Sequence, residues 1–386
     1  MRVLHFFKTY WPDTFGGIER TIHALAEGSS EHGIKSNVLS LSKVPKDREF
    51  GNHMAYKARL DFEFASTGFS RDVFCRFRDL SAAADIVHYH FPWPWMDVVH
   101  SFIGPGKPTL VTYHSDVVKQ KILLRLYRPL MKHFLESVDH IVTTSPNYLA
   151  SSGILQQFKS KTSVIPLGLD ETSYPAANAD ALTRWRRDLP PTFFLFVGVL
   201  RYYKGAHILL EASRISGLPV VIVGEGPMEV TLKETARQQA LSNIFFLGAL
   251  PDIDKAALLE LCLGVVFPSH LRSEAFGLTL VESAMFGKPM ISCEIGTGTS
   301  YVNLDGETGL VIPPANPAAL AAAMTRLAND PVTAIEYGSK ARLRYLQMFT
   351  AKRMVSEYAE LYRMLAERKD MVFGQHPLET PVYPKL

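Results

Sequence analysis

Apolar and polar positions follow two rhythms along this chain. Short apolar runs bounded by turn residues recur at 3–7, 36–41, 85–89, 109–113, 139–144 and 162–165. Runs this short and this apolar predict strands buried on both faces. Between them the apolar spacing lengthens. Residues 18–31 place Ile18, Ile22, Leu25 and Ala26 on one helical face, and 117–136 reads as another helix. Residues 44–80 are less regular and predict one strand near 53–58 and a helix from about 70 to 84. Strand alternating with helix implies a parallel sheet covered on both faces.

Residues 166–191 interrupt that alternation. Pro166, Pro175, Pro190 and Pro191 punctuate a weakly periodic stretch, which predicts a domain boundary. The pattern then restarts. Strands are expected at 193–197, 218–223, 243–247, 263–267 and 289–293, with helices at 205–216, 227–238 and 253–262. Helices follow at 316–330 and 331–346, and a last long one at 350–367. The tail from Asp370 reads as loosely held.

Composition narrows the class. A chain of 386 residues, 47% hydrophobic and 20% charged, is long enough for about two to three domains with a large core. Cys75, Cys262 and Cys293 lie far apart without C-x-x-C spacing, so neither a zinc site nor a disulfide frame is expected. A net charge of +3 does not argue for nucleic acid. No apolar run is long enough to span a bilayer, and residues 1–7 run into Lys8 and Asp13 too soon for a signal segment. These features predict a cytoplasmic protein.

Candidate chemistry sits where strand meets helix. Ser273-Glu274-Ala275-Phe276-Gly277-Leu278-Thr279-Leu280-Val281-Glu282 joins an apolar strand to a helix closed by Gly287-Lys288-Pro289. The helix start offers unpaired N–H groups near Gly277, Leu278 and Thr279, an anion site. Glu274 lies beside that site and Glu282 about one and a half turns inside the helix. A diphosphate bound there would have one carboxylate towards its sugar and the other towards its nucleoside. By itself the same spacing also describes a surface loop and a solvated helix face.

Other stretches add possible partners. Arg201 and Lys204 stand at a helix start, where cations oppose the dipole, and they could neutralise a departing diphosphate. Gly16-Gly17 is either a plain turn or a place where a ligand approaches the backbone closely; no G-x-G-x-x-G accompanies it. His114 ends the strand at 109–113, at the edge where open α/β sheets place ligands. His88, Tyr89, His90, Pro92, Trp93, Pro94 and Trp95 end another strand and suit either sugar stacking or packing. His88 and His90 share a face, but no third ligand is near in sequence, so no metal is expected. The helix at 117–136 carries Lys119, Lys121, Arg125, Arg128 and Lys132 with no acid before Glu136. Interleaved with apolar residues, this is a solvated basic face or a surface for an anionic bilayer.

Together, the Glu-x7-Glu spacing around Phe276-Gly277 and the order of these elements resemble the retaining nucleotide-sugar glycosyltransferases of family four. The resemblance covers residues 2 to about 366. It implies the GT-B fold: α/β, two doubly wound Rossmann-like domains facing a cleft. An acceptor-side domain would span 1–170, a nucleotide-sugar domain 171–349, and the last stretch, about 350–386, would return to the first domain. In such enzymes His114 and Glu274 would hold the donor sugar as the catalytic groups. Gly16, Gly17, Arg201, Lys204 and the segment Phe276, Gly277, Leu278 and Thr279 would hold the donor diphosphate, and Glu282 the ribose. Gly248, Leu250 and Lys255 would lie near the nucleobase, and Gly224-Glu225-Gly226-Pro227 would be a structural turn. Transfer would proceed with retention, with no metal or other cofactor. Asp252-x-Asp254, which suggests the metal pair of a different glycosyltransferase fold, precedes a helix where acids simply favour the dipole.

The opening His5-Phe6-Phe7-Lys8-Thr9-Tyr10-Trp11-Pro12-Asp13-Thr14-Phe15-Gly16-Gly17-Ile18-Glu19 is similar to bacterial O-polysaccharide mannosyl- and rhamnosyltransferases that use GDP-sugars. That similarity implies a GDP-linked mannose or deoxy-mannose donor and an undecaprenyl-diphosphate-linked glycan acceptor in O-antigen synthesis. It also implies peripheral contact with the inner face of the cytoplasmic membrane. Asp13, Lys119, Lys121, Arg125 and Arg128 would then lie on the acceptor or membrane side. A UDP-sugar transferase, a nucleotide-sugar 2-epimerase and an inactive sugar-nucleotide-binding subunit share the fold and stay open as alternatives.

Overall fold

The computed structural model describes residues 1–65, 67–117 and 121–373. Its strands are β1 (Arg2–Phe6), β2 (Lys35–Ser42), β3 (Arg48–Phe50), β4 (His53–Arg59), β5 (Phe62–Phe64), β6 (Thr67–Phe69), β7 (Ile86–Phe91), β8 (Thr109–Tyr113), β9 (His140–Thr143) and β10 (Thr162–Val164) in the first half. The second half has β11 (Phe194–Val197), β12 (Val220–Val223), β13 (Ile244–Gly248), β14 (Gly264–Phe267), β15 (Met290–Cys293) and β16 (Gly309–Ile312). The first sheet runs β10-β9-β8-β7-β1-β2-β4-β3, and the second β13-β12-β11-β14-β15-β16; β5 and β6 form a separate hairpin. Both large sheets are parallel except at the β3–β4 edge. Every residue of β7, β8, β12, β14 and β15 is buried, because helices cover both faces of such sheets. Strand order reverses at β1/β7 and at β11/β14. Those are the points where ligands enter open α/β sheets, outside the carboxyl ends of the strands.

Several expectations need correction. Residues 44–80 hold not one strand but β3, β4, β5 and β6, three of them too brief to show a period. The proline-rich stretch 166–191 contains the helix Ala179–Asp188, capped by the Asn178 side chain. Its inward stripe is brief: Ala181 is buried, Leu182 and Trp185 are half-buried, and Trp185 packs against the core of the second domain. Polar contacts to the helix Asp252–Leu261 add to this packing, and Trp185 Nε1 donates to Asp254 at 2.9 Å. The cluster after β7 is packing rather than a sugar platform. Trp93 is fully buried and donates to the Gly68 carbonyl at 3.0 Å, and Trp95 donates to the Ser70 carbonyl at 2.8 Å. Both anchor the helix Pro94–Ile103 under the β5–β6 hairpin.

The final helix, Ala351–Phe373, leaves the second domain and lies on the first. Tyr358 meets Thr112 and Tyr362 meets His88, each at 2.7 Å, and Arg363 donates to the His32 carbonyl at 3.0 Å. The chain therefore passes between domains twice, and the two passages touch. Leu169 N donates to Phe349 O and Ala351 N to Leu169 O, both at 2.9 Å. Gly168 makes this possible, since a Cβ there would lie 2.3 Å from the Thr350 carbonyl oxygen. Residues from 374 onward lie outside the described residues. Gly168→Ala is expected to cost about 1–3 kcal/mol by forcing the two passages apart. A thermal melt reads this as a lowered midpoint; an unchanged midpoint would show that the passages can separate freely.

Candidate active site

A cavity of ≈ 780 Å³ opens between the two domains. Gly16, Gly17 and His114 line it from the first domain; Arg201, Lys204, Leu250, Lys255, Glu274, Phe276, Gly277, Leu278, Thr279 and Glu282 line it from the second. Gly248 stands back from the lining. It bends the chain at a φ of 67°, and its carbonyl accepts from Gly224 at 2.7 Å, leaving Ala249 at the wall.

The second-domain half is built at the β11/β14 switch point. The loops after β11 and β14 touch, which requires Gly205: at φ 73° its Cβ would lie 2.1 Å from the Pro268 carbonyl oxygen. Lys204 from one loop thereby meets Glu274 from the other, Nζ to Oε2 at 2.5 Å, with Ser269 Oγ donating to the same oxygen at 3.1 Å. Burial would lower the Lys204 pKa, but Glu274 and Tyr203 outweigh it and hold the ammonium above its ordinary value. Arg201 is exposed at the cleft and forms no ion pair among the described residues. The helix Leu278–Met285 starts from Gly277, whose φ of 91° suits glycine alone. Its N-terminus thus opens beside Lys204 and Arg201, and three sources of positive potential converge on one place.

At the other end of the cavity charges alternate. Tyr174 donates to Glu282 at 2.7 Å, and Arg20 lies 3.8 Å from the same carboxylate. Arg20 also donates to Tyr174 at 3.1 Å and reaches Asp252 at 3.4 Å, and Lys255 pairs with Asp252 as well. Asp254 turns away to Arg184 and Trp185, so the two acids of Asp252-x-Asp254 do not converge.

The first-domain half rests on the loop after β1. Glu19 is buried and accepts from Thr9 at 2.8 Å and Thr14 at 2.7 Å, which ties the loop to the helix Gly17–Gly28. A Cβ on Gly17 would lie 2.9 Å from Leu278 Cδ1, so the two helix starts nearly touch across the cleft. Asp13, expected on the acceptor side, is exposed, pairs with buried Lys57 at 2.9 Å and is not part of the cavity lining. Lys57 also donates to the Tyr10 carbonyl at 2.9 Å, so this ion pair fixes the loop. Arg125 and Arg128 are exposed on the helix Lys121–Ser137, away from the cavity wall. Lys119 and the side chain of Lys121 lie outside what is described.

Two imidazole clusters stand behind this wall. The β1–β7 register sets His5 beside His88, which supplies His88 and His90 with the third neighbour that was not apparent along the chain. Both nitrogens of His88 are already engaged, by Tyr362 and by Thr112 at 2.7 Å each. In the second cluster, Tyr10 OH bridges His23 at 3.0 Å and His53 at 2.8 Å, and His53 meets Glu27 at 2.6 Å. Hydrogen bonds thus engage both nitrogens of His88 and link Tyr10, His23, His53 and Glu27.

Contacts across the cleft were the least legible part. Arg20 finds its partners 154 and 232 residues away. At the opposite rim Arg272 donates to Ser151 at 2.9 Å and to the Gly296 carbonyl at 3.0 Å, reaches Asp116 at 3.3 Å, and sits over the Tyr148 ring. Arg20 lines the cavity, and Arg272 stands just outside the lining, beside Ser273. Neither follows any local motif; Arg20 only adjoins the glycine loop.

The model described as Glycosyl transferases group 1 matches residues 182–344, and that described as Glycosyltransferase Family 4 matches residues 15–173. The D-rhamnosyltransferase WbpZ of Pseudomonas aeruginosa is 56% identical over 353 residues, 91% of this chain and 93% of that protein. The O-antigen chain mannosyltransferase C of Escherichia coli is 50% identical over 375 residues, 96% of this chain and 100% of that protein. Sucrose-phosphate synthase from Thermosynechococcus elongatus superposes with a TM-score of 0.80 at 22% identity, over 95% of this chain and 99% of that one. Anabaena HepE in complex with UDP gives 0.74 at 18% identity, over 94% and 100%. These two share the fold.

Lys204→Met leaves Glu274 without its cation. The expected loss is about 2 kcal/mol, below the figure for an enclosed pair because the cleft admits water. Since folding raises the Lys204 pKa, the pair's stabilisation is complete below the ordinary lysine value of 10.5 and is lost as pH climbs through the raised value. Melts from neutral to strongly alkaline pH should show a smaller alkaline decline in the mutant; an identical decline would assign that decline to another group.

Proposed function

The chain belongs to the family 4 glycosyltransferases, and from that we propose that it moves mannose or a deoxy-mannose such as rhamnose, with retention, from a GDP-sugar to a lipid-linked glycan in O-antigen synthesis. The observation that carries the transfer chemistry is the convergence of Arg201, the Lys204–Glu274 pair and the Gly277 helix start on one place, with His114 facing it from the other domain. A sugar diphosphate seated there has its leaving group at the positive end and its sugar between Glu274 and His114. The bond from anomeric carbon to diphosphate oxygen breaks, and the acceptor hydroxyl adds to the same face. Its proton passes to the departing phosphate oxygen, so no side chain need act as nucleophile. Arg201, Lys204 and the helix N-terminus stabilise the charge that develops on the diphosphate, and in this reading they do the work of a metal ion. Glu282 takes the ribose hydroxyls in exchange for Arg20 and Tyr174.

Support for a guanine nucleotide comes from the alternating charges at Asp252, Lys255 and Arg20. A guanine edge offers adjacent N–H donors to a carboxylate, and its O6 and N7 accept from a cation. The two close relatives support the choice of sugar and pathway. Support for a lipid-linked acceptor comes from the outer face of the first domain. Arg125, Arg128, Lys132 and Leu126 are exposed there on one helix, and Phe62, Phe64 and Phe102 are exposed on the same domain. Basic and apolar residues together suit peripheral contact with an anionic bilayer. No helix among the described residues is long and apolar enough to cross a membrane.

Purified protein given GDP-mannose, GDP-rhamnose or UDP-sugars, with an undecaprenyl-diphosphate-linked acceptor and excess chelator, tests the proposal. Transfer is expected from a GDP-sugar, at full rate in chelator, with the donor's anomeric configuration kept in the product by NMR. Loss of activity in chelator that manganese restores would overturn the metal-free reading. Glu274→Ala is expected to lower turnover about 10²–10³-fold with the fold intact; near-normal transfer by that mutant would sink the assignment of this carboxylate.

A further inference from the structure

His114 is the end of a row of imidazoles. His5 Nδ1 lies 3.2 Å from His90 Nε2, and His90 Nδ1 lies 3.1 Å from His114 Nε2. The rings of His90 stack on both neighbours, at 5.5 Å on His5 and 5.4 Å on His114. The row runs from β1 through β7 to the residue after β8, from the middle of the sheet to the wall of the cavity.

Proton counting limits what this row can do. Burial lowers the pKa of all three, to about 3 for His5 and His114 and well below the ordinary value for His90, where neighbouring imidazoles add to the effect. All three are therefore neutral at ordinary pH. A neutral imidazole has one N–H and one acceptor nitrogen, so both links must donate in the same direction. In one sense His5 donates to His90 and His90 to His114, which leaves the proton of His114 on Nδ1. In the other sense His114 Nδ1 is a bare acceptor, and His5 carries its proton on Nε2. His5 Nε2 is buried with no hydrogen-bond partner. The second sense would orphan a buried N–H, and orphaned N–H groups are rarer in folded proteins than under-used acceptors. The first sense is selected.

We propose that His90, oriented in turn by His5, is a positioning residue that fixes His114 as a neutral imidazole with its proton on Nδ1, poised to donate to an oxygen of the donor sugar. Such a donor orients the sugar without adding charge beside the carbon that becomes positive as the leaving group departs. The inference rests on the transferase reading only in what His114 touches; the row itself exists without substrate.

Imidazole ¹⁵N NMR of the ligand-free protein tests the row directly. His114 should show a pyrrole-like Nδ1 and a pyridine-like Nε2. Mixed tautomers, or the reverse assignment, would overturn the proposal whatever reaction the protein performs. Two amide variants of similar size then separate positioning from packing. An Asn at 90 can stand in for Nδ1 and keep the bond to His114, whereas a Gln stands in for Nε2 and keeps only the bond to His5. His90→Gln is expected to lower kcat about 10–100-fold with a much smaller change in donor KM, and to blur the His114 tautomer. His90→Asn should restore most of kcat and the single tautomer. Equal losses in both variants, with the His114 tautomer unchanged, would reduce His90 to a packing residue. His5→Phe gives a third reading if either amide variant folds poorly: it should mix the tautomers of His114 while leaving the cavity wall in place.

Discussion

Parallel pairing forces every strand of a sheet to end at the same edge. That constraint organises this molecule. The loops after β1, β8, β11 and β14 all emerge on one side of their sheets, and the reversals of strand order at β1/β7 and β11/β14 open a crevice in each. Lys204 and Glu274 meet because their strands are neighbours across such a reversal, although 70 residues of chain separate them in sequence. The contact also needs Gly205, where a side chain would collide with the Pro268 carbonyl. A helix start, two cations and a carboxylate thus converge through backbone geometry before any ligand is present.

The second constraint is that the domains are joined at one place. The passages at Leu169 and Ala351 are hydrogen-bonded to each other, so both backbone crossings share one point. Arg20 and Arg272 span the cleft at its two rims. Both contacts are partly exposed and compete with ligand or water, unlike the packing of Tyr358 and Tyr362 that ties the last helix to the first domain. The attachment of the last helix is buried, and the two arginine contacts are partly exposed.

Residues near strand ends divide between loop anchors and the cavity wall. Trp93, Trp95 and Asp13 all lie near strand ends and all turned to anchoring loops, because each found a carbonyl or a cation of its own domain within reach. His114 lines the wall, with the His90 ring hydrogen-bonded to it from inside the sheet. Helix Ala179–Asp188 shows only the brief stripe of Ala181, Leu182 and Trp185, set among the prolines of 166–191, and polar contacts add to its packing.

The strand and helix rhythm, the break near 166–191 and the grammar of the Glu274-to-Glu282 turn are local properties. They depend on side-chain period, on glycine at a left-handed position and on unpaired N–H groups at a helix start, so the sequence alone determined them. Arg201 and Lys204 were legible for the same reason, as cations placed against a helix dipole. Tertiary structure alone decided that Lys204 would hold Glu274, that Arg20 and Tyr174 would hold Glu282, and that His5 would stand behind His90 and His114. Each of those pairings depends on sheet register or domain placement, which brings together residues too far apart along the chain for any local pattern to connect.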